Sequence, residues 1–326
     1  MPAATSGKLP LALVRVMTLL YRDPLFRLHM TGAHPEHPRR LVAIEERIDA
    51  SPLPARCTLP IWKQATIDQL ARVHDPLYID EIRKFAAAGG GRIEADTVLS
   101  PRSYDAAILA SGAACNAVER VIAGEEKNAF LLHRPPGHHA LPHDAMGFCL
   151  FNHVAVAAAH ALDQLGLNRV LIVDWDVHHG NGTQDMFYTS DRVAFFSSHR
   201  WPFYPGTGAA DETGTRDGLG FNKNLPLEFG IDPREFLAQF AGELQAFADR
   251  VKPELVLISA GFDAHRDDPI GSLSLEAEHF GELTRIVKQI AAVHAQGRVV
   301  SLLEGGYNPA KLAESVEVHL AELLAE

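Results

Sequence analysis

Two carboxylates and two imidazoles crowd one short stretch, Asp174, Asp176, His178 and His179. Alternate side chains of an extended chain share a face, so Asp174, Asp176 and His178 align if extended geometry persists there. Asp176 and His178 can then close on one cation. Asp263, which follows Ser259-Ala260-Gly261-Phe262, offers a third ligand. Two carboxylates and one imidazole, with positions left open, describe a catalytic metal site rather than a structural one. The set suits zinc, and also iron(II) or cobalt. Such an ion binds water and polarises a carbonyl. His138 and His139 stand side by side behind the stiff turn Pro135-Pro136-Gly137, a placement suited to proton transfer. Asp174 is the carboxylate that would raise a histidine's basicity and set its tautomer. Tyr307, behind Gly305-Gly306, can donate a hydrogen bond to a developing oxyanion. Phe148, after Gly147, and Tyr204 lie in loops and could wall a slot for an aliphatic arm. Each has a plainer reading: a helix cap for Asp263, a surface turn for the histidines, ordinary packing for the aromatics.

The elements that must carry these groups are short apolar runs. Val170 to Val173 reads as a strand covered on both faces and runs directly into Asp174. Asn128 to Leu132 precedes the paired histidines, Leu255 to Ser259 precedes Asp263, and Arg298 to Leu303 precedes Tyr307. Four strands thus end in reactive groups, and ligands of open α/β sheets bind outside the carboxyl ends of strands. Leu13 to Leu20 and Arg192 to Ser197 read as further strands. Helices are expected over Arg39 to Ile48, Thr66 to Leu70, Pro76 to Ala88, Ser100 to Ala123, Asn152 to Leu165, Asn181 to Tyr188, Pro233 to Arg250, Leu275 to His294 and Pro309 to Glu326. Ser198 to Gly220 reads as one long loop, a length that usually carries function. The alternation predicts a doubly wound, mostly parallel sheet in a single domain over residues 1–326.

Bulk properties narrow the function classes. The 326 residues carry a net charge of -11, which argues against non-specific nucleic-acid binding. Cys57, Cys115 and Cys149 are odd in number and widely spaced, so a reducing, cytoplasmic compartment is expected. The apolar run Leu11 to Val14 is too short for a membrane span and has no cleavage-site pattern, so neither anchor nor export signal is expected.

Six motifs in order carry a resemblance. They are His133-Arg134-Pro135-Pro136-Gly137-His138-His139-Ala140, Gly147-Phe148-Cys149, Asp174 through Thr183, Pro205-Gly206-Thr207-Gly208, Ser259 through His265, and Glu304-Gly305-Gly306-Tyr307. The chain resembles the histone deacetylase family. Trp175, Asn181 and His34-Pro35-Glu36 are similar to its class II branch and bacterial relatives. The resemblance implies the arginase/deacetylase fold, a three-layer α/β open sandwich whose central sheet has about eight strands. It implies a zinc-dependent amidohydrolase acting on acetyl-lysine, with Asp176, His178 and Asp263 on the metal. His139 would be general base and then acid, His138 with Asp174 the electrostatic support, and Tyr307 the ligand of the acyl oxygen. Gly147, Phe148, Tyr204 and Gly306 would flank the tunnel, Ile270 would stand at its mouth, and Arg40 would line an inner channel. A potassium ion would be held by Asp174, Asp176, His178, Ser197 and Ser198, and a second near Phe187, Ser190, Val193 and Phe221. Phe221 departs from a tyrosine common in relatives. Asn181 stands where many relatives carry aspartate, so His139 is expected to be the less basic histidine. Tyr204 replaces a common phenylalanine. Acetylated polyamines are the alternative substrate, although Ile270 is not the carboxylate that polyamine enzymes of the family tend to use. A non-catalytic acyl-lysine binder would lack one of these groups, and an arginase-like dimanganese hydrolase would need carboxylates near Asn181 and His265. Homo-oligomerisation is left open.

Overall fold

A computed structural model describes residues 17–325. In chain order the elements are β1 (Thr18–Arg22), α1 (Arg39–Asp49), β2 (Cys57–Thr58), α2 (Ile67–Leu70), α3 (Pro76–Ala87), β3 (Gly91–Arg92), β4 (Val98–Leu99) and α4 (Ser103–Ile122). There follow β5 (Asn128–Leu132), α5 (His153–Asp163), β6 (Val170–Asp174), α6 (Asn181–Phe187), β7 (Val193–Arg200) and β8 (Asn222–Leu227). The last are α7 (Pro233–Val251), β9 (Leu255–Ala260), α8 (Ala277–His294), β10 (Val299–Leu303) and α9 (Pro309–Leu323).

Among the described residues, eight strands form one sheet in the order β2-β1-β5-β10-β9-β6-β7-β8. Every pairing within it is parallel. This is the expected α/β sandwich with a central sheet of eight strands, and the sheet is wholly rather than mostly parallel. Its alternation is visible in the packing. Val170 and Ile172 of β6 face the layer holding α4 and α5, while Leu171 and Val173 face the layer of α7, α8 and α9. β9 divides likewise, with Leu255 and Leu257 on one side and Val256 and Ile258 on the other. Both faces are dry, which is why these strands read as unbroken apolar runs. α4 and α5 pack together through alanines such as Ala113, Ala117, Ala157 and Ala161. Three helices start on one pattern: Asp75, Asp232 and Asn308 each accept a backbone N–H just ahead of a proline in the first turn.

The sheet differs from the expectation in three places. The opening strand is Thr18–Arg22; the expected part before residue 17 lies outside the described residues, as does residue 326 at the chain's end. β7 runs on to Arg200, so the long loop begins later than Ser198. β8 lies inside what reads as turn-rich sequence. Its Asn222, Asn224 and Pro226 are unlike a core strand, but an edge strand needs only one paired side and tolerates proline. No helix among the described residues is long and apolar enough to cross a membrane.

Candidate metal and catalytic centre

The strands β5, β10, β9 and β6 are neighbours in the middle of the sheet and run the same way. Their carboxyl ends therefore meet at one edge, where the loops bring together residues more than a hundred positions apart. Asp176, His178 and Asp263 are buried there, with one ligand-type atom from each lying within 4.8 Å of the others. His178 Nδ1 is 3.0 Å from Asp176 Oδ1 and 3.3 Å from Asp263 Oδ2.

The carboxylates are aimed by backbone donors. Val177 N–H donates to Asp263 Oδ1 (2.9 Å), Gly305 N–H to Asp176 Oδ2 (2.8 Å), and Asp176 N–H to Asp174 Oδ1 (3.0 Å). Asp263 Oδ2 is buried and has no hydrogen-bond partner. Glycine permits the close approach of the walls. A Cβ on Gly261 would stand 2.1 Å from Asp176 Oδ2, and one on Gly305 would stand 2.1 Å from Asp263 Oδ2. Burial and the facing Asp176 charge hold the Asp263 carboxyl well above the usual carboxylate range. An orphaned carboxylate oxygen, two acids forced together and an imidazole between them fit a divalent cation with mixed oxygen and nitrogen ligands.

Beside this group stand the two histidines, ring centroids 4.0 Å apart. They differ in what holds them. His138 Nδ1 is 2.9 Å from Asp174 Oδ2. Burial alone would depress His138, but the Asp174 and Asp176 charges outweigh it and raise it to about 10. His139 Nδ1 is 2.7 Å from the Asn181 carbonyl oxygen. Burial, then the neighbouring His138 and His178, hold His139 well below the ordinary histidine value. The His138 loop is tied to the end of β10 by Glu304, whose Oε2 accepts the Gly137 (2.7 Å) and His138 (3.2 Å) N–H groups.

Tyr307 is buried, and burial raises its phenol well above the usual value. Its ring meets Phe148 edge-on at 5.7 Å, and the Arg40 guanidinium lies 5.1 Å from its centroid. Gly306 has φ +124°, a conformation that glycine accepts without strain. Gly147 presses on His139, since a Cβ there would lie 2.3 Å from Cδ2. Tyr204 is 37% exposed and meets His139 edge-on at 5.2 Å. Ile270 is half-buried on the loop after Asp263. Ser197 Oγ is 2.9 Å from His199 Nδ1, and Ser198 Oγ is buried without a partner; Ser197 pairs with Asp174 across β6 and β7. At the other expected alkali site, the Phe187 and Phe221 carbonyls accept from Ser190 and Phe195 N–H groups.

The sequence reading misses Phe203 and the pairing that joins Glu36 to Arg134 and Arg40. Phe203, not only Tyr204, lines the site, stacked on His178 at 5.2 Å with planes 17° apart. Glu36 is fully buried and pairs with Arg134, which precedes the histidine turn, and with Arg40 at 3.0 Å. Arg40 donates in turn to the Gly306 and Glu304 carbonyls. Glu36 lies three residues before α1, and its four-residue spacing from Arg40 is the one local signal of this cluster.

Comparison with known proteins agrees with this geometry. The family model described as "Histone deacetylase domain" matches residues 34–323. An uncharacterised protein of Synechocystis is 39% identical over 315 residues, 95% of this chain and 100% of that protein. A histone deacetylase-like amidohydrolase of Pseudomonas aeruginosa is 39% identical over 280 residues, covering 86% and 74% of the two chains. The human polyamine deacetylase HDAC10 is 40% identical over 321 residues, 94% of this chain but 46% of that protein. The crystal structure of the HDA15 HD domain superposes with a TM-score of 0.90 at 37% identity, covering 96% of this chain and 89% of that one. With the domain match, the relatives and the sheet in agreement, the chain belongs to the histone deacetylase family, as a hydrolase acting on amides.

Proposed function

We propose that this protein is a zinc-dependent amidohydrolase that removes acetyl or longer acyl groups from lysine side chains of proteins or peptides. One observation carries the reading: two touching histidines have unlike partners, a carboxylate and an amide, beside a buried Asp-His-Asp group. The proposal includes a single catalytic domain, a cytoplasmic location, and acylated amines rather than nucleic acid or membrane as partners.

Asp176, His178 and Asp263 would hold the zinc ion. When bound, it supplies a Lewis acid that polarises the acyl carbonyl and acidifies water. The proton traffic belongs to the chain. Asn181 accepts the Nδ1 hydrogen of His139, so Nε2 presents a lone pair. His139 takes a proton from the attacking water there and returns it to the leaving amine nitrogen. His138, kept charged by Asp174, holds a positive charge beside the reacting carbonyl. Tyr307 donates its phenolic hydrogen to the acyl oxygen as that oxygen gains charge. Phe148 and Tyr204, with Gly147 and Gly306, flank the aliphatic arm, and Ile270 stands at the mouth. Asp174, Asp176, His178, Ser197 and Ser198 would hold a potassium ion, whose charge would offset the buried carboxylates.

A second reading, acetylated polyamines, has a specific support. Burial, and after it the Asp96 charge, raises the Tyr204 phenol, so an acid stands near the slot where a substrate's second cation would lie. One experiment separates the two. Zinc-loaded and chelated protein is assayed on acetyl-lysine peptides, longer acyl-lysines and acetylpolyamines. Tyr307→Phe is run alongside and should cut turnover by about 10² to 10³ with zinc content unchanged. Unaltered turnover would remove the phenol from the chemistry.

A further inference from the structure

Asp268 lies five residues beyond Asp263, on the loop between β9 and α8, and is 8% exposed. Its two oxygens do different things. Oδ1 accepts the Ile270 (2.9 Å) and Gly271 (3.0 Å) N–H groups, a local turn that a short acid commonly makes. Oδ2 reaches another strand's loop and accepts the Tyr307 N–H at 2.6 Å, across 39 residues of sequence. The same two loops meet again where the Asn308 amide donates to the Asp267 carbonyl at 3.0 Å.

We propose that Asp268 is a positioning residue that registers the Tyr307 phenol against the mouth of the slot by holding the Tyr307 and Ile270 backbones on one carboxylate. The inference rests on Tyr307 being the hydrogen-bond donor to the acyl oxygen, as argued above. Tyr307 needs such an anchor because Gly305-Gly306 precede it, and glycines leave the backbone unusually free. Arg40 restrains the turn at the Gly306 carbonyl, 2.6 Å from Nε, and Asp268 restrains it one residue later. The mouth end is equally seated. Gly271 O accepts from Arg200 at 2.9 Å, and a Cβ on Gly271 would stand 2.4 Å from both Asp263 O and Val177 Cγ1. The turn that carries Ile270 thus presses on the loop of Asp263, while its carboxylate reaches across to the tyrosine. A substrate arm fixed at the mouth then presents its carbonyl at a set depth, where the phenol is held. Hydrogen bonds to an ionised carboxylate are about twice as strong as neutral ones, which suits a restraint between two loops.

The test is a double-mutant cycle of Asp268→Asn and Tyr307→Phe. Asparagine keeps one acceptor; its amide nitrogen would face an N–H, donor against donor, so one arm is lost. In the wild-type background Asp268→Asn should lower kcat by about 10- to 100-fold with zinc content unchanged, the scale of a reacting group misplaced by about 1 Å. In the Tyr307→Phe background the kcat loss should shrink to about threefold or less, because the group being positioned is already gone. Any rise in KM from a loosened Ile270 turn should be the same in both backgrounds. An equal kcat factor in both backgrounds overturns the inference and leaves the role of Tyr307 standing. A Tyr307→Phe variant with unaltered turnover overturns both. A readout in the unmodified protein covers the case in which the variant does not fold. With selective 15N-tyrosine labelling, six amides are observed, and the Tyr307 amide should exchange slowly. Exchange as fast as an exposed amide would equally overturn the assignment.

Discussion

Gly305→Ala isolates the contribution of close packing to the proposed metal centre. Gly305 does not have a positive φ, so alanine fits its backbone and only space is at stake. The new Cβ would stand 2.1 Å from Asp263 Oδ2, 2.6 Å from Asp176 Oδ2 and 2.8 Å from Asp263 Cγ. Carbon and oxygen need about 3.3 Å. The Asp263 oxygen must therefore recede by about 1 Å, several times the roughly 0.2 Å tolerance of a ligand position. Loss of one well-placed support usually lowers metal affinity by about 10- to 100-fold, and here both carboxylates are displaced. Overpacking of this kind costs about 1–3 kcal/mol in the folded protein. Gly242→Ala is the control. It sits on the exposed face of α7, where a Cβ would meet nothing within 4 Å. Alanine there should raise stability by about 0.8–1 kcal/mol through helix propensity and leave the metal untouched. Zinc affinity is measured by competition with a chromophoric chelator, and stability by thermal unfolding with and without zinc. If Gly305→Ala binds zinc as tightly as the unmodified protein, the glycine contact has no part in shaping the ligands and the argument fails.

Two further outcomes follow from charge. Asn181→Asp places a carboxylate on His139 Nδ1, at the position the amide oxygen holds at 2.7 Å. An adjacent opposite charge raises a histidine by about 1–3 pH units. As the proposed base His139 must be neutral, so the acid limb of the kcat/KM profile should move to higher pH by that amount; an unmoved limb would place the base elsewhere. Acid stability is the other. Burial lowers His74 and His133 to about 4 and His319 to about 3, from 6.5 in the unfolded chain. Between those values the unfolded state binds more protons, so stability present above pH 6.5 is lost as pH falls. Each histidine contributes about 1.4 kcal/mol per pH unit, roughly 3 kcal/mol by pH 4. Urea titrations at pH 7, 6 and 5 should show a steadily falling midpoint, and a constant one would contradict the neutral burial of these rings.

The legible parts of the fold were those where one segment carries its own signal. β5, β6, β9 and β10 are covered on both faces, so apolarity alone marks them. β8 has one neighbour and a half-wet face, and its asparagines and proline resemble a turn. β3 and β4 have two residues each, too few for a period. The same division runs through the site. Asp176, His178 and Asp263 could be grouped because each follows a strand and all strands point one way. Glu36 with Arg134, Glu304 with the His138 loop, and Asp268 with Tyr307 could not, because no pattern within either segment names its partner. Phe203 is not legible for a related reason. In a strand, adjacent side chains would face opposite ways, but Phe203 and Tyr204 lie in a loop and both meet His178.

The buried charges around Tyr307 divide into two halves of opposite sign. On the side of the Asp-His-Asp group, Asp174, Asp176, Asp263 and Glu304 are all buried. Glu304 is pushed up to about 7 by burial and by the Asp174 and Asp176 carboxylates. That half carries more negative charge than its histidines can match, a composition that folding tolerates if a cation is the intended occupant. On the other side Glu36 alone faces both Arg40 and Arg134, and its carboxyl is held well below the ordinary range by the Arg134 charge and its hydrogen bonds despite full burial. That half is short of negative charge. Arg40 belongs to the positive half yet donates to the carbonyls of Glu304 and Gly306, in the turn that carries Tyr307. The turn is therefore held from the positive side by Arg40 and from the side of the Asp-His-Asp group by the Gly305 N–H on Asp176. Removing the Glu36 charge would leave two buried arginines without a counter-ion, a change that destabilises folded proteins by about 3–5 kcal/mol. Its first structural consequence would fall on the Tyr307 turn and the His138 loop together, because Arg40 grips one and Arg134 leads into the other.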